Sequence, residues 1–279
     1  MSAERYIEAA TEYVTIDGIA YAYRRVGRPA DLPLVCLQHF TGTLDNWDPE
    51  VIDGLAQNRP VITIDNAGIG SSGGETPDNV QDMAHTAVRI ITALGIRQCD
   101  LLGFSLGGFI AQTIAVSHPQ LFRKIILIGT APQGTLALHS FPQLVARAFA
   151  LPPADGYLFL FATSSEKSKD KIRAAQARFQ ERKIDRDKAT SMPAIQAQIK
   201  ALTRWGTDPV TLDLSSIAHP VLIIQGSNDV MMNSASSLEL FRQIPHSILT
   251  YFPDSSHGSF FQYPETFVDE ANSFLEKFI

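Results

Sequence analysis

Five short, uninterrupted apolar runs, separated by stretches of helical period, constrain this chain more than any other feature. They are Leu34 to Leu37, Val61 to Ile64, Leu101 to Phe104, Ile125 to Ile128 and Val221 to Ile224. A strand wetted on one face alternates apolar and polar residues, whereas a continuous run belongs to a strand covered on both faces. Between the runs, Val80 to Leu94 and Leu106 to Val116 carry helical period, the first capped by Asp78 or Asn79 and closed by Gly95. Strand and helix in repeated alternation predict an α/β fold with a mostly parallel sheet. At its N-terminal edge, Tyr13 to Ile16 and Ile19 to Tyr23 flank Asp17-Gly18, which predicts an antiparallel hairpin.

The alternation stops after Gly129. From about Gly134 to Ser216 prolines, Phe141, Phe149, Phe159, Phe161 and a charged helical stretch from Glu166 to Arg186 fill the interval, and no strand is evident. The pattern resumes at His219-Pro220-Val221, with a helix near Ser236 to Gln243, a strand near Ile248 to Phe252 and a closing helix from Pro264 to Phe278. The simplest organisation is a core domain of residues 1–133 and 217–279, with a helical cap of residues 134–216 inserted late in the sheet.

Composition removes several classes of function. The 279 residues are 45% hydrophobic and 19% charged with a net charge of −6, the balance of a soluble globular chain and not of a nucleic-acid binder, which needs clustered cations. The run Lys167, Lys169, Lys171, Arg173 is interleaved with acids and reads as a solvated helix face. No apolar stretch reaches bilayer length, and Met1 to Tyr6 lacks an apolar leader core, so no membrane partner is expected and the cytoplasm is the expected location. The expected partner is a small neutral molecule; the oligomeric state stays open, a homodimer included. Cys36 and Cys99, the two cysteines, lie in apolar runs and are expected to be inert core thiols. No Walker motif, H-E-x-x-H or histidine-rich cluster is present, so neither a cofactor nor a metal is expected.

The chemistry-bearing motif is Gly103-Phe104-Ser105-Leu106-Gly107, followed by Gly108, at the junction of an apolar run and a helix. This is the nucleophile-elbow pattern G-x-S-x-G in its expected context. A serine on so sharp a turn holds a strained backbone, which requires residues two before and two after it to lack side chains. The helix that follows directs its N-terminal dipole and free N–H groups at the serine, where negative charge develops.

A serine hydroxyl needs a base, and of seven histidines His257 is the favoured one. It lies in Asp254-Ser255-Ser256-His257-Gly258-Ser259, just past the last strand, and open α/β sheets put chemistry in such loops. His39 and His139 are its rivals; His85, His118, His219 and His246 sit in a helix or turns and read as structural. The favoured acid is Asp229, which follows the penultimate strand and gives the chain order Ser, Asp, His. Asp254 is better suited to shaping its own turn as an Asx residue. Asp65 ends a strand but precedes the serine.

Serine, acid and base in this order and spacing resemble the α/β-hydrolase superfamily, in its esterase-like branch, over nearly the whole chain. The resemblance implies the α/β-hydrolase fold: a mostly parallel eight-stranded sheet flanked by helices, with a cap after the sixth strand. It also implies hydrolysis of an ester-type bond, of a carboxylic ester or lactone, through an acyl-enzyme. Where relatives carry His-Gly-X, this chain has Gln38-His39-Phe40, so Phe40 and Leu106 become the oxyanion donors by that resemblance. His39 is then a candidate substrate contact or auxiliary acid, with a structural role the alternative. Trp47, Phe141 and Trp205 are further candidates for an apolar substrate pocket. Carbon–carbon bond hydrolysis, the perhydrolysis of cofactor-free haloperoxidases, which the elbow also resembles, and a ligand-binding protein without turnover are the rival readings.

Gly68-Ile69-Gly70-Ser71-Ser72-Gly73 matches the dinucleotide pattern G-x-G-x-x-G after a strand. A dinucleotide loop opens directly into a helix, whereas Gly74, Glu75, Thr76 and Pro77 extend this one first, and it resembles the structural Asp-x-x-Gly-x-Gly-x-Ser loop of the superfamily.

Overall fold

The computed structural model describes residues 5–28 and 32–277. The hairpin forms as the Asp17-Gly18 pair demands: β1 (Glu12–Ile16) and β2 (Ile19–Val26) pair antiparallel, Ile16 opposite Ile19. Asp17 and Gly18 have φ of 51° and 80°, the left-handed conformation that a tight two-residue hairpin turn requires. The continuous apolar runs become β3 (Leu34–Leu37), β4 (Val61–Ile64), β5 (Cys99–Phe104), β6 (Phe122–Ile128) and β7 (Val221–Gly226), and β8 (Ser247–Phe252) completes an eight-stranded sheet. Its order is β1-β2-β4-β3-β5-β6-β7-β8. From β4 to β8 every neighbour pairs parallel.

That order sets where chemistry can sit. The chain runs outward from β3 to β4, then returns to place β5 on the other side of β3. Connections leave the carboxyl ends of β3 and β5 in opposite directions, opening the crevice in which open α/β sheets bind ligands. Residues 38–42 follow β3 and Ser105 follows β5, so both face this crevice.

Helices cover the sheet. They are α1 (Pro49–Leu55), α2 (Val80–Ala93) and α3 (Leu106–Ser117), then α4 (Phe141–Phe149), α5 (Pro153–Phe161), α6 (Glu166–Phe179) and α7 (Met192–Thr207), and finally α8 (Ser234–Gln243), α9 (Ser259–Gln262) and α10 (Pro264–Lys277). Asn79 caps α2 through Asp82 N, and Gly95 follows it at φ 76°. Residues 106–115 of α3 are all buried, as expected of a helix apolar on every side. The closing helix begins at Pro264 as expected, and Phe278 lies outside the described residues. Among the described residues no helix is long and apolar enough to cross a membrane.

Helices α4 to α7 fill the connection between β6 and β7, with no strand among them. The charged stretch expected to be helical to Arg186 leaves the helix at Phe179. Its first half behaves as a solvated face, with Lys169 on Glu166 at 2.7 Å and Arg173 on Asp170 at 2.6 Å. Its second half turns inward. Arg178 grips Asp48 through Nε and Nη2 at 2.8 and 2.6 Å, and Arg182 donates to the carbonyls of Ile7 and Ala9 at 3.0 and 2.8 Å. Asp187 accepts from Ser71 Oγ at 2.8 Å and lies 3.6 Å from Arg24, whose fully buried guanidinium also holds Asp45 at 2.8 Å. Breaking a buried pair strands a charge, so these contacts fasten α6 and the segment after it to the N-terminal residues, to the loops after β3 and β4 and to β2.

The glycine-rich loop after β4 binds a protein carboxylate. Asp65 Oδ1 accepts from Leu44 N at 2.9 Å and Oδ2 from Ser71 N at 3.0 Å. A Cβ at Gly70 would stand 2.3 Å from Asp65 Oδ2. Burial, reinforced by nearby Asp187, holds the Asp65 carboxyl well above the usual carboxylate range. With its amide already spent on an internal acid and α2 beginning only at Val80, the loop offers no cradle for a pyrophosphate. Cys36 and Cys99 are buried free thiols, and burial pushes the Cys99 thiol up to about 12, far from reactivity at neutral pH.

Candidate active site

Ser105 occupies the turn between β5 and α3 at φ 55° and ψ −115°, a conformation that a side chain rarely accepts. The flanking glycines meet different obstacles. A Cβ at Gly103 would lie 2.4 Å from Gly107 O, inside the elbow itself. A Cβ at Gly107 would lie 2.1 Å from Leu37 O, so this glycine lets α3 slide under the end of β3. Thr130 Oγ1, beyond β6, donates to Ser105 O at 3.1 Å and fixes the turn from the far side.

His257 arrives from the loop after β8 and packs on Gly129, where a Cβ would come within 3.2 Å of its ring. Its Nδ1 lies 2.8 Å from Asp229 Oδ2, and both side chains are fully buried. Asp229 is itself tightly held: Oδ1 accepts the N–H groups of Met231 and Met232 at 2.8 and 2.9 Å, and Gln225 Nε2 reaches Oδ2 at 3.3 Å. A carboxylate can only accept, so Nδ1 of His257 carries the hydrogen and Nε2 presents a lone pair. Ser105 Oγ and His257 Nε2 are both buried without a hydrogen-bond partner among the described residues. Seven other buried side-chain atoms among the described residues share that state, Trp47 Nε1 included, so what sets this pair apart is its place on the strained turn and beside Asp229.

The sequence-level rivals separate cleanly. His139 hydrogen-bonds the Gly206 carbonyl at 3.1 Å, within the inserted helices. Asp254, expected to shape its turn, instead accepts from Thr163 Oγ1 and Ser165 Oγ, each at 2.6 Å, and so ties the segment between α5 and α6 to the His257 loop. Those two hydroxyls, Ser165 first, hold its carboxyl below the usual range.

The loop after β3 is built around Gln38. Its Nε2 donates to Thr43 O at 2.8 Å, which turns Oε1 toward residue 39, where it accepts the His39 backbone N–H at 2.9 Å and meets Nδ1 of the His39 ring. Phe40 and Leu106 donate no backbone hydrogen bond among the described residues. The next residue, Thr41, stands at φ 62°, unusual for a β-branched side chain. Two residues of the insertion hold it there: Gln198 Oε1 accepts Thr41 N–H at 2.7 Å, and Thr190 Oγ1 donates to Thr41 O at 2.8 Å. No local sequence signal foretells this clamp, because its partners are 149 and 157 residues away.

A cavity of about 660 Å³ adjoins the site, its wall including His39, Phe40, Tyr157, Leu160, Phe161, Ile195 and Met231. Ser105 and His257 do not reach it. Phe161 stands edge-on to both His257 and His39, at 5.5 and 5.8 Å, and forms the partition. Of the aromatics expected to line a pocket, three lie off the wall of this cavity. Trp205 stacks on Phe109 at 4.9 Å and donates its indole N–H to Ala131 O; Trp47 is buried away from the cavity; Phe141 lies behind its wall, edge-on to Phe40 at 5.4 Å.

A parallel sheet with a strained serine at its switch point and a buried histidine–aspartate pair beside it defines a class of α/β enzymes. Residues 33–264 match the α/β hydrolase fold family model, and the chain belongs to that family and is a hydrolase. An α/β hydrolase fold protein from Chitinophaga pinensis is 50% identical, with a TM-score of 0.97 over 99% of this chain and 100% of that one. The chain is 25% identical to a pimeloyl-[acyl-carrier protein] methyl ester esterase of Aeromonas hydrophila, over 92% of this chain and all of the relative. It is 28% identical to a 2-hydroxymuconate semialdehyde hydrolase of Pseudomonas putida, over 79% of this chain and 78% of the relative.

Proposed function

We propose that this protein hydrolyses an ester-type bond, of a small to medium apolar carboxylic ester or lactone, through an acyl-enzyme on Ser105. The observation that carries the proposal is the buried Asp229–His257 bond, which leaves Nε2 as a base in the crevice that holds Ser105. His257 takes the Ser105 proton as Oγ attacks the carbonyl, and the oxyanion is bound by the N–H groups of Phe40 and Leu106. The alcohol departs with that proton. Water, deprotonated by His257, then attacks the acyl carbonyl; the acid leaves and Ser105 regains its proton. Residues 134–216 act as the cap over this site, and the cavity between them and the loop after β3 takes the apolar part of the substrate.

The esterase relative supports this choice of bond; the 2-hydroxymuconate semialdehyde hydrolase relative supports a second, cleavage of a carbon–carbon bond by the same residues. A series of nitrophenyl esters of rising acyl length separates them. The ester reading expects saturable turnover with an optimum set by the cavity, and a fluorophosphonate-reactive enzyme that turns over no ester would overturn it.

Two variants test how the insertion serves the site. Gln198→Leu leaves Thr41 N–H without its acceptor, so the loop relaxes and the Phe40 amide moves off the oxyanion. Loss of one such donor costs about 10²- to 10³-fold, and a displaced donor should cost on the order of tenfold or more in kcat. KM for the same ester should change little; an unchanged kcat would remove Gln198 from the account. Phe161→Leu opens the partition, so fluorophosphonate labelling should accelerate, more for a bulky probe than for a small one.

A further inference from the structure

We propose that His39 selects the substrate, its Nε2 accepting a hydrogen bond from a hydroxyl or amide N–H carried next to the scissile carbonyl. The inference rests on the serine-hydrolase reading and adds the class of substrate to it.

The tautomer of His39 is dictated by its neighbour. Gln38 Nε2 is committed to Thr43 O, which leaves the amide oxygen facing both the backbone N–H and Nδ1 of His39. An oxygen of this kind can only accept, so the hydrogen resides on Nδ1 and Nε2 is a bare acceptor. Among the described residues no group donates to Nε2, and His39 is part of the cavity wall. The placement is built into the loop: a side chain at Gly42 would come within 2.6 Å of His39 Cε1 and 2.5 Å of Gln38 Cγ. Burial, with a smaller contribution from His257, lowers the ring to about 3, so it stays neutral near neutral pH.

Position then names the ligand group. His39 directly precedes Phe40, the proposed oxyanion donor, and shares the flank of Phe104 with His257, the two imidazoles lying 4.9 and 5.0 Å from that ring. A substrate whose carbonyl oxygen sits at Phe40 N–H therefore brings its α-substituent to His39. Phe40, Leu160, Phe161 and Ile195 supply apolar surface to the same cavity wall, which also carries Thr41, Asn46, Arg186 and Thr190. An acceptor that a bound substrate seals from water rejects an analogue lacking the donor, because binding it buries an unpaired nitrogen. The expected substrates are 2-hydroxy or 2-acylamino esters and lactones.

The test compares kcat/KM for pairs that differ only in the donor: 2-hydroxy against 2-methoxy esters, and 2-acetamido against 2-(N-methylacetamido) esters. Active enzyme is counted by fluorophosphonate titration. The wild type should prefer the donor-bearing member of at least one pair by about 100-fold. The pair that discriminates tells hydroxyl from amide. In His39→Phe, which keeps a planar ring, and in His39→Leu, the ratio should fall toward unity. A wild-type ratio near unity for both pairs, or a ratio that survives in both variants, overturns the proposal. Absence of fluorophosphonate titration overturns the hydrolase reading instead, which distinguishes the two failures.

Discussion

Ser105→Ala is expected to lower kcat for nitrophenyl esters by about 10⁵- to 10⁶-fold, as removal of the nucleophile from a triad does. The same variant should be more stable than the wild type. Its hydroxyl is buried without a partner, and leaving a polar group in that state costs about 1–3 kcal/mol. Alanine inherits the strained φ of 55° but not the unpaired oxygen. A chain of this size should gain roughly 2–4 °C in Tm per kcal/mol relieved. Calorimetry and steady-state kinetics on one preparation check both halves. Comparable activity in Ser105→Ala would remove the serine from the chemistry.

Asp229→Asn should be almost as damaging, for a reason legible in its hydrogen bonds. Oδ1 faces the N–H groups of Met231 and Met232, which can only donate, so an asparagine must place its oxygen there. Its NH2 group then points at His257 Nδ1, which must become the acceptor. The ring hydrogen moves to Nε2, and a protonated Nε2 cannot take the serine proton. The fold should persist, since both backbone bonds survive, while kcat drops by about 10⁴-fold and KM moves little. A loss below about tenfold would mean that Asp229 does not set the tautomer.

The sequence made the framework readable because its signals are local. Continuous apolar runs foretold β3 to β7, the Asp17-Gly18 pair foretold the hairpin turn, and Asn79 with Gly95 marked the ends of α2. Helix α1 went unread although its signal was present: Asp48 caps it and Pro49 occupies its first position. The elbow was legible for the same local reason, but the demand for Gly107 comes from further off. Its obstacle is Leu37 O, a strand neighbour 70 positions earlier, not the turn.

What lay beyond the sequence depends on distant partners. Lys169 and Arg178 belong to one charged helix, yet one is solvated and the other clamps a buried aspartate. Charge patterning identifies the first use and cannot see the second. Aromatic composition likewise did not tell a cavity wall from a core: Phe161 lines the cavity beside His257, while Trp47 and Trp205 are buried away from it. The Gln38–His39 departure was visible as an oddity of type. Its consequence, a fixed tautomer with one free acceptor, required the bond from Gln38 to Thr43.

Covalent acylation of Ser105 is the centre of the account. The good leaving group of a nitrophenyl ester speeds acylation and leaves deacylation untouched, so an acyl-enzyme should accumulate before an acid quench. Peptide mapping by mass spectrometry of the quenched wild type should find one acyl group per chain, on Ser105, and none on Ser105→Ala. Steady ester hydrolysis with the acyl group on another residue, or with none on Ser105 at any time point, would contradict it.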